Sequence, residues 1–139
     1  MSMLKIFDVA SSAISAQSQR LNTVASNLSN ADTVAGPDGS AYKARQVVFQ
    51  SALMGTGAQG NATVGVRVAT IAESDAPGRR VLDPKHPAAD AEGYVTYSNV
   101  NPVEEMVNMI SASRSYQNSV EVMNTARSLL QKTLQMGQG

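Results

Sequence analysis

The residues most able to do chemistry surround His86, the chain's single histidine, which lies among the carboxylates Glu73, Asp75, Asp83, Asp90 and Glu92. Two acids facing each other across a sugar linkage are the working parts of a glycosidase, so a paired-carboxylate hydrolase is one reading of this stretch. The surroundings argue against it. Pro77, Pro84 and Pro87 interrupt Asp75 to Asp90, and charges in Pro-rich polar sequence usually serve solvation and turns. A Ser-His-Asp triad or a histidine metal site would rest on His86 alone. Cys is absent, which excludes disulfides, thiolate metal sites and cysteine nucleophiles.

Other candidate motifs are similarly thin. Gly55, Gly57 and Gly60 spell G-x-G-x-x-G, but a dinucleotide site needs that turn to open a helix. Here Asn61-Ala62-Thr63 and alternating valines follow, so a flexible loop is expected. The seven methionines fall mainly at helical spacing near the C-terminus, where packing is the expected role. Asn27-Leu28-Ser29 and Asn61-Ala62-Thr63 match a glycosylation sequon that is too short to decide anything. Lys+Arg and Asp+Glu each total 11, so nothing electrostatic favours nucleic acid, and Arg79-Arg80 reads as a solvated turn. No catalytic, cofactor or metal residue is predicted.

The elements that would carry any site are dominated by two long helices. Asn101 can cap the second, with Pro102 at the first helical position, Glu104 placed for a capping box and Glu105 adding charge to the same turn. No Gly or Pro follows until Gly137, the expected stop. Met106, Met109, Ser113, Tyr116, Val120, Met123, Arg127, Leu130 and Leu134 step by three and four, a heptad seam weakened at Ser113 and Arg127. Val122, Leu129 and Met136 form a second series nearly opposite. A helix apolar on two faces wants partners on both.

The first helix is expected from about Met3 to Asn30. Met3, Phe7, Ala10, Ile14, Gln17, Leu21, Val24 and Leu28 make its seam, and Ser12, Ala13, Ala16 and Thr23 form a small face that another backbone could approach. The C-terminal helix is its natural mate, leaving the middle as a protrusion. There, Gly36-Pro37-Asp38-Gly39 is a turn, and three short strands are expected: Tyr42 to Gln50, the Val64-Val66-Val68 alternation, and Tyr94 to Tyr97. Aromatics are only 4% of the chain, which favours helix-on-helix packing over an aromatic core. The predicted fold is α+β: helical residues 1–35, a β-rich segment 36–100, and a helix in 101–139. No run reaches the roughly 20 apolar residues of a membrane span. Met1 to Ala10 lacks the core of a cleaved secretory signal.

These residues resemble the bacterial flagellar basal-body rod proteins. Ser15-Ala16-Gln17-Ser18-Gln19-Arg20-Leu21-Asn22 leads into Val24-Ala25-Ser26-Asn27-Leu28-Ser29-Asn30-Ala31-Asp32, which looks like the family's Asn-Leu-x-Asn signature. Tyr42-Lys43-Ala44-Arg45, then Ser98-Asn99-Val100-Asn101, Val103 to Ile110, Ser113 to Gln117 and Val122 to Ala126 extend it over nearly the whole chain. The resemblance implies a non-enzymatic subunit of the proximal rod, the drive shaft that joins the inner-membrane rotor to the hook through the periplasm. It implies terminal helices packed in a helical axial core, delivery by the flagellar type III export apparatus, and partners among copies of itself, other rod proteins and the MS-ring/rod junction. The subunit-packing residues expected on this basis are Phe7, Ile14, Leu21, Val24 and Leu28 on the first helix. On the second they are Met106, Met109, Tyr116, Val120, Val122, Met123, Leu129, Leu130 and Leu134. A peptidoglycan-acting hydrolase using the carboxylates near His86 and a freestanding coiled-coil adaptor are the alternatives.

Overall fold

The second helix starts where its capping residues place it. Asn101 is extended, and its side chain accepts the N–H groups of Val103 at 3.1 Å and Glu104 at 3.4 Å, while Pro102 occupies the first turn. The computed structural model describes residues 3–57 and 60–138. In it, helix α1 spans Met3–Ser29, strands β1 to β4 span Arg45–Thr56, Ala62–Glu73, Arg80–Leu82 and Tyr94–Thr96, and helix α2 spans Pro102–Gly137. Glu104 stays exposed, and its neighbour Glu105 is the acid that turns inward. Gly137 is the last helical residue rather than the stop, and the Gln138 N–H closes the end on the Gln135 carbonyl.

The two helices pack antiparallel. Asn27 near the end of α1 meets Glu105 at the start of α2, and Met3 and Ile6 share a groove with Thr125 and Leu129 at the other end. Burial on α2 steps through Glu105, Met109, Ala112, Tyr116, Ser119, Met123, Ala126 and Leu130. The Met109, Tyr116, Met123 and Leu130 half of the expected seam is therefore in place. Its other half is shifted by one residue: Ala112 and Ala126 are buried where Ser113 and Arg127 were expected, and Met106 is exposed. Close approach selects the methyl side chains, since Arg127 at the contact would separate the helices and strand its charge. Among the described residues, five of the eight buried apolar ones are alanine, including Ala10 and Ala16 on α1. The larger seam residues Phe7, Ile14, Leu21 and Leu28 are only half-buried, and Val24 is fully so.

Strands β1 and β2 form a long antiparallel hairpin from Arg45↔Glu73 to Thr56↔Ala62, with irregularities at Val48/Phe49 and Leu53/Gly55. Gly55, expected in a loop, is inside β1 at φ 139; residues 58 and 59 of that predicted loop lie outside the described residues. The turn between Gly57 and Asn61 leads directly into β2, so the glycine motif opens a strand and not a helix. The hairpin does not protrude. It lies along α1, with Arg45 at Asn27, Val66 at Ser12 and Gly57 beside Lys5. Lengths allow this: Lys5 to Asn27 spans about 33 Å of helix, and Arg45 to Gly57 about 40 Å of strand.

The small face of α1 does receive a backbone. Ser12 Oγ donates to the Val9 carbonyl at 2.7 Å and accepts the Val66 N–H at 3.1 Å. A Cβ on Gly65 would stand 2.6 Å from that hydroxyl and run into Met54 as well. A fourth strand was not anticipated: β3 pairs with β4 over Arg80↔Thr96, Val81↔Val95 and Leu82↔Tyr94. Three residues between prolines carry too short an alternation to read.

Gly65→Ala is expected to destabilise the chain by about 1–3 kcal/mol in urea unfolding. The loss should shrink when Ser12→Ala is also present, because the obstructing hydroxyl is then gone. Equal losses in both backgrounds would mean that the contact with α1 does not constrain position 65.

Candidate assembly site

The residues suspected of chemistry are occupied in turns and ion pairs. His86 Nδ1 accepts the Ala88 N–H at 3.0 Å. Glu73 pairs with Arg45 at 3.3 Å, Asp75 with Lys43 at 3.7 Å, and Arg80 with Asp90 at 2.9 Å and Glu92 at 3.6 Å. Asp90 Oδ1 also accepts the N–H groups of Glu92 and Tyr94, both at 2.9 Å. The Tyr94 N–H, helped by Arg80, holds the Asp90 carboxyl below its usual range. A folded-state pKa lowered in this way favours the turn above the ordinary aspartate pKa, and that support disappears as pH falls through the lowered value. An acid catalyst needs the opposite shift. Arg79 and Arg80 are solvent-exposed as expected, but Arg80 begins β3 rather than a turn, and the two guanidinium groups lie over the rings of Tyr97 at 5.0 Å and Tyr94 at 4.6 Å. Among the described residues, no group of three or more His, Cys, Asp or Glu is placed to hold a metal, and no helix is long and apolar enough to cross a membrane.

The polar centre of the molecule is elsewhere, at Asn27. Its side chain is completely buried, and all four hydrogen-bonding positions are used. Oδ1 accepts the Arg45 N–H and the Tyr42 hydroxyl, each at 3.0 Å; Nδ2 donates to the Arg45 carbonyl at 2.8 Å and to Glu105 Oε2 at 3.0 Å. One amide thus joins the end of α1, the start of β1 and the first turn of α2. Glu105 is only 5% exposed; it also accepts from Asn108 at 3.4 Å, and Arg20 reaches Asn108 at 3.5 Å. The helix N-terminus adds a favourable field for its charge. With both N–H bonds of Asn27 committed inside the fold, its sequon cannot be a glycan acceptor in the folded chain.

A second amide completes the junction. Asn99 accepts the Ala44 N–H and donates to the carbonyls of Ser74 at 3.2 Å and Ala76 at 2.8 Å, tying both ends of the hairpin to the entry of α2. Ser98 Oγ donates to the Ala31 carbonyl at 2.6 Å, Val100 is buried, and Asn101 caps the helix. In the sequence these residues stand as part of a family signature, and the hydrogen-bond partners of Ser98 and Asn99 are distant in the chain. Their signal was polarity at positions next to apolar helix starts.

Around this junction the helices leave apolar surface open. Val103, Met106, Val107 and Ile110 are exposed on the α2 face opposite α1. Val122, Leu129 and Met136 are exposed too, but along a flank roughly 100° from the seam rather than opposite it. Leu134 returns to the seam side, yet is 60% exposed because α1 is level only with α2 residues up to about Leu129. Tyr116, Val120, Met123 and Leu130 are half-buried. Burial therefore divides these residues into a half-buried set on the side of α1 and an exposed set.

Asn27→Asp is expected to cost about 3–5 kcal/mol, because it sets two carboxylates together in a buried site and removes two donors. Adding Glu105→Gln should recover part of this in thermal or urea unfolding. A wild-type midpoint for Asn27→Asp alone would remove the junction from the fold's essential contacts.

Comparison with known proteins gives the geometry its context. Residues 91–136 match a family model described as flagellar basal body rod FlgEFG protein C-terminal, and residues 7–37 match one described as flagella basal body rod protein. These segments contain the junction residues Asn27 and Ser98 to Glu105. The flagellar basal-body rod protein FlgC of Yersinia enterocolitica is 59% identical over 138 residues, covering 99% of this chain and all of that protein. That of Escherichia coli O157:H7 is 58% identical over the same coverage, and that of Bacillus subtilis 37% identical over 94% of this chain and 95% of its own. On full-length similarity at both helices and across the junction between them, the chain belongs to the FlgC family of flagellar basal-body rod proteins.

Proposed function

We propose that this subunit works in the rod as a passive mechanical element whose helix pair forms the axial core and whose exposed apolar faces are interfaces with neighbouring subunits. The family makes it a structural rod protein of the flagellar basal body that assembles with other rod proteins. The observation that carries the finer reading is surface area. The chain exposes 9328 Å², whereas a compact monomer of 14.6 kDa would expose about 6,900 Å². The surplus of about 2,400 Å² exceeds what one protein–protein interface of ordinary size takes from each partner.

In this reading Phe7, Ile14, Leu21, Val24, Leu28, Met109, Tyr116, Val120, Met123 and Leu130 hold the subunit's own helices together. Met106, Val122, Leu129 and Leu134 meet other chains. Residues 1–35 and 101–139 supply the axial part and 36–100 the surrounding part, with the hairpin reinforcing α1. Torque then passes through packed helices in the periplasmic shaft, from the MS-ring junction toward the hook. Entry through the type III export apparatus fits a chain without cysteine. Nothing in the arrangement requires catalysis, and nothing in it favours a hydrolase or a freestanding adaptor.

Ile110→Asp and Ala112→Asp separate the two faces. Ile110→Asp should leave unfolding free energy within about 0.5 kcal/mol of the parent, as an exposed substitution does, yet remove the subunit from isolated basal bodies and stop swimming. Ala112→Asp should lower helix content and stability of the chain itself, because it buries an unpaired charge in the seam. His86→Ala should leave swimming unchanged. Normal incorporation of Ile110→Asp, checked after confirming its secretion, would show that the outer face of α2 is bathed in solvent in the rod.

A further inference from the structure

The open flank of the helix pair is a trough rather than a flat patch. One part, about 440 Å³, is lined by Met3 and Ile6 of α1 and by Val122, Thr125, Ala126 and Leu129 of α2, together with the polar Asn118 and Glu121 of α2. It continues past Ile6 and Val122 into a second part of about 390 Å³, where Val9, Ala10 and Ala13 form the floor and Val64 of β2 the far wall. Ala10, Ala13 and Ala126 line the bottom, and the rims are mostly larger aliphatic residues, interrupted by the polar Asn118 and Glu121. That is the relief into which a helix ridge packs.

The ridge that fits is on the same helix. Val103, Val107 and Ile110 form an exposed row on α2, with Val103 and Ile110 seven residues apart. The trough's rims Val122 and Leu129 are also seven apart, and Ala126 lies between them. A shift of nineteen positions sets Val103 against Val122, Ile110 against Leu129, and Val107 over the buried methyl of Ala126, a knob over a hole. Resting on the rod-subunit reading above, we propose that a second copy of this chain docks the Val103–Val107–Ile110 ridge of its α2 in this trough. The two α2 helices run parallel and are displaced by about 28 Å along the axis.

A second copy is favoured over an unrelated partner for two reasons. Ridge and trough sit on one rigid helix but face roughly 100° apart, so no single neighbouring helix can cover both. A repeated, parallel, head-to-tail contact covers both on every copy at once, and a contact of that kind generates an open row instead of a closed dimer. Two patches of ordinary size, about 800 Å² each, fit within the surplus of about 2,400 Å².

The absence of cysteine makes the register directly testable. Ile110→Cys and Leu129→Cys are placed in one chain, basal bodies are isolated from cells making it, and a short bismaleimide is applied before denaturing electrophoresis. Val103→Cys with Val122→Cys is a second pair in the same register, in case the first pair impairs assembly. The double variants should give dimers and higher multiples of this chain. Single variants expressed together should give dimers only, and either single variant alone none. An incorporated double variant that yields only monomer, or that is joined to a chain of different mass, would overturn the proposal while leaving the rod reading intact. Absence of the parent chain itself from basal bodies would overturn the rod reading and the proposal with it.

Discussion

The fold depends on one buried amide. Asn27, in the last turn of α1, bonds Glu105 in the first turn of α2, 78 residues later, and between them Tyr42 and Arg45 bind the same side chain. No other residue type fits readily. Aspartate would lack the two donors, leucine would leave the Arg45 peptide and Glu105 unsatisfied, and glutamine would carry its amide one bond too far. Because α1, β1 and α2 all take their direction from this point, the angle of the hairpin against the helices follows from it. Asn99 then holds the hairpin's two open ends.

Much of this architecture was legible. Both helices follow from their apolar spacing, and the cap at Asn101 from its residue type and the proline after it. The face of α1 bearing Ser12 announced a close backbone neighbour by its small side chains, and β2 is that neighbour. The seam of α2 was harder because periodicity weights large side chains. It therefore favoured Met106 and Val120 and passed over Ala112 and Ala126, which contribute little hydrophobicity but allow the helices to approach. Alanine is silent in such patterns even where it decides the helix phase.

The polar residues divide by how local their bonds are. Asp90 and its neighbours are close in sequence and read as solvated turn residues, and their hydrogen bonds run to the adjoining backbone and to Arg80. Asn27 and Glu105 are far apart in sequence, and no local pattern connects them. The hairpin's course is equally non-local: its strands alternate as expected, yet the small face of α1 and Gly65 have to be read together before it is seen to lie along α1 instead of standing away. Such information resides in pairs of positions, one of which is often a glycine or a small polar residue.

Pairing the two ends of the chain also has a kinetic consequence. The mate of α1 follows all four strands in sequence order, so the helix pair cannot form until the strands and α2 itself are present. Closing the loop from Asn27 to Glu105, which are 78 residues apart, carries an entropic barrier on the order of 4 kcal/mol for its length alone. Contacts of such separation form late. The β1–β2 hairpin can close by itself, but it has no completed surface to lie on until α2 arrives. Folding is thereby deferred by topology: whichever end of the chain arrives first at its destination, it must wait, unpaired, for the other.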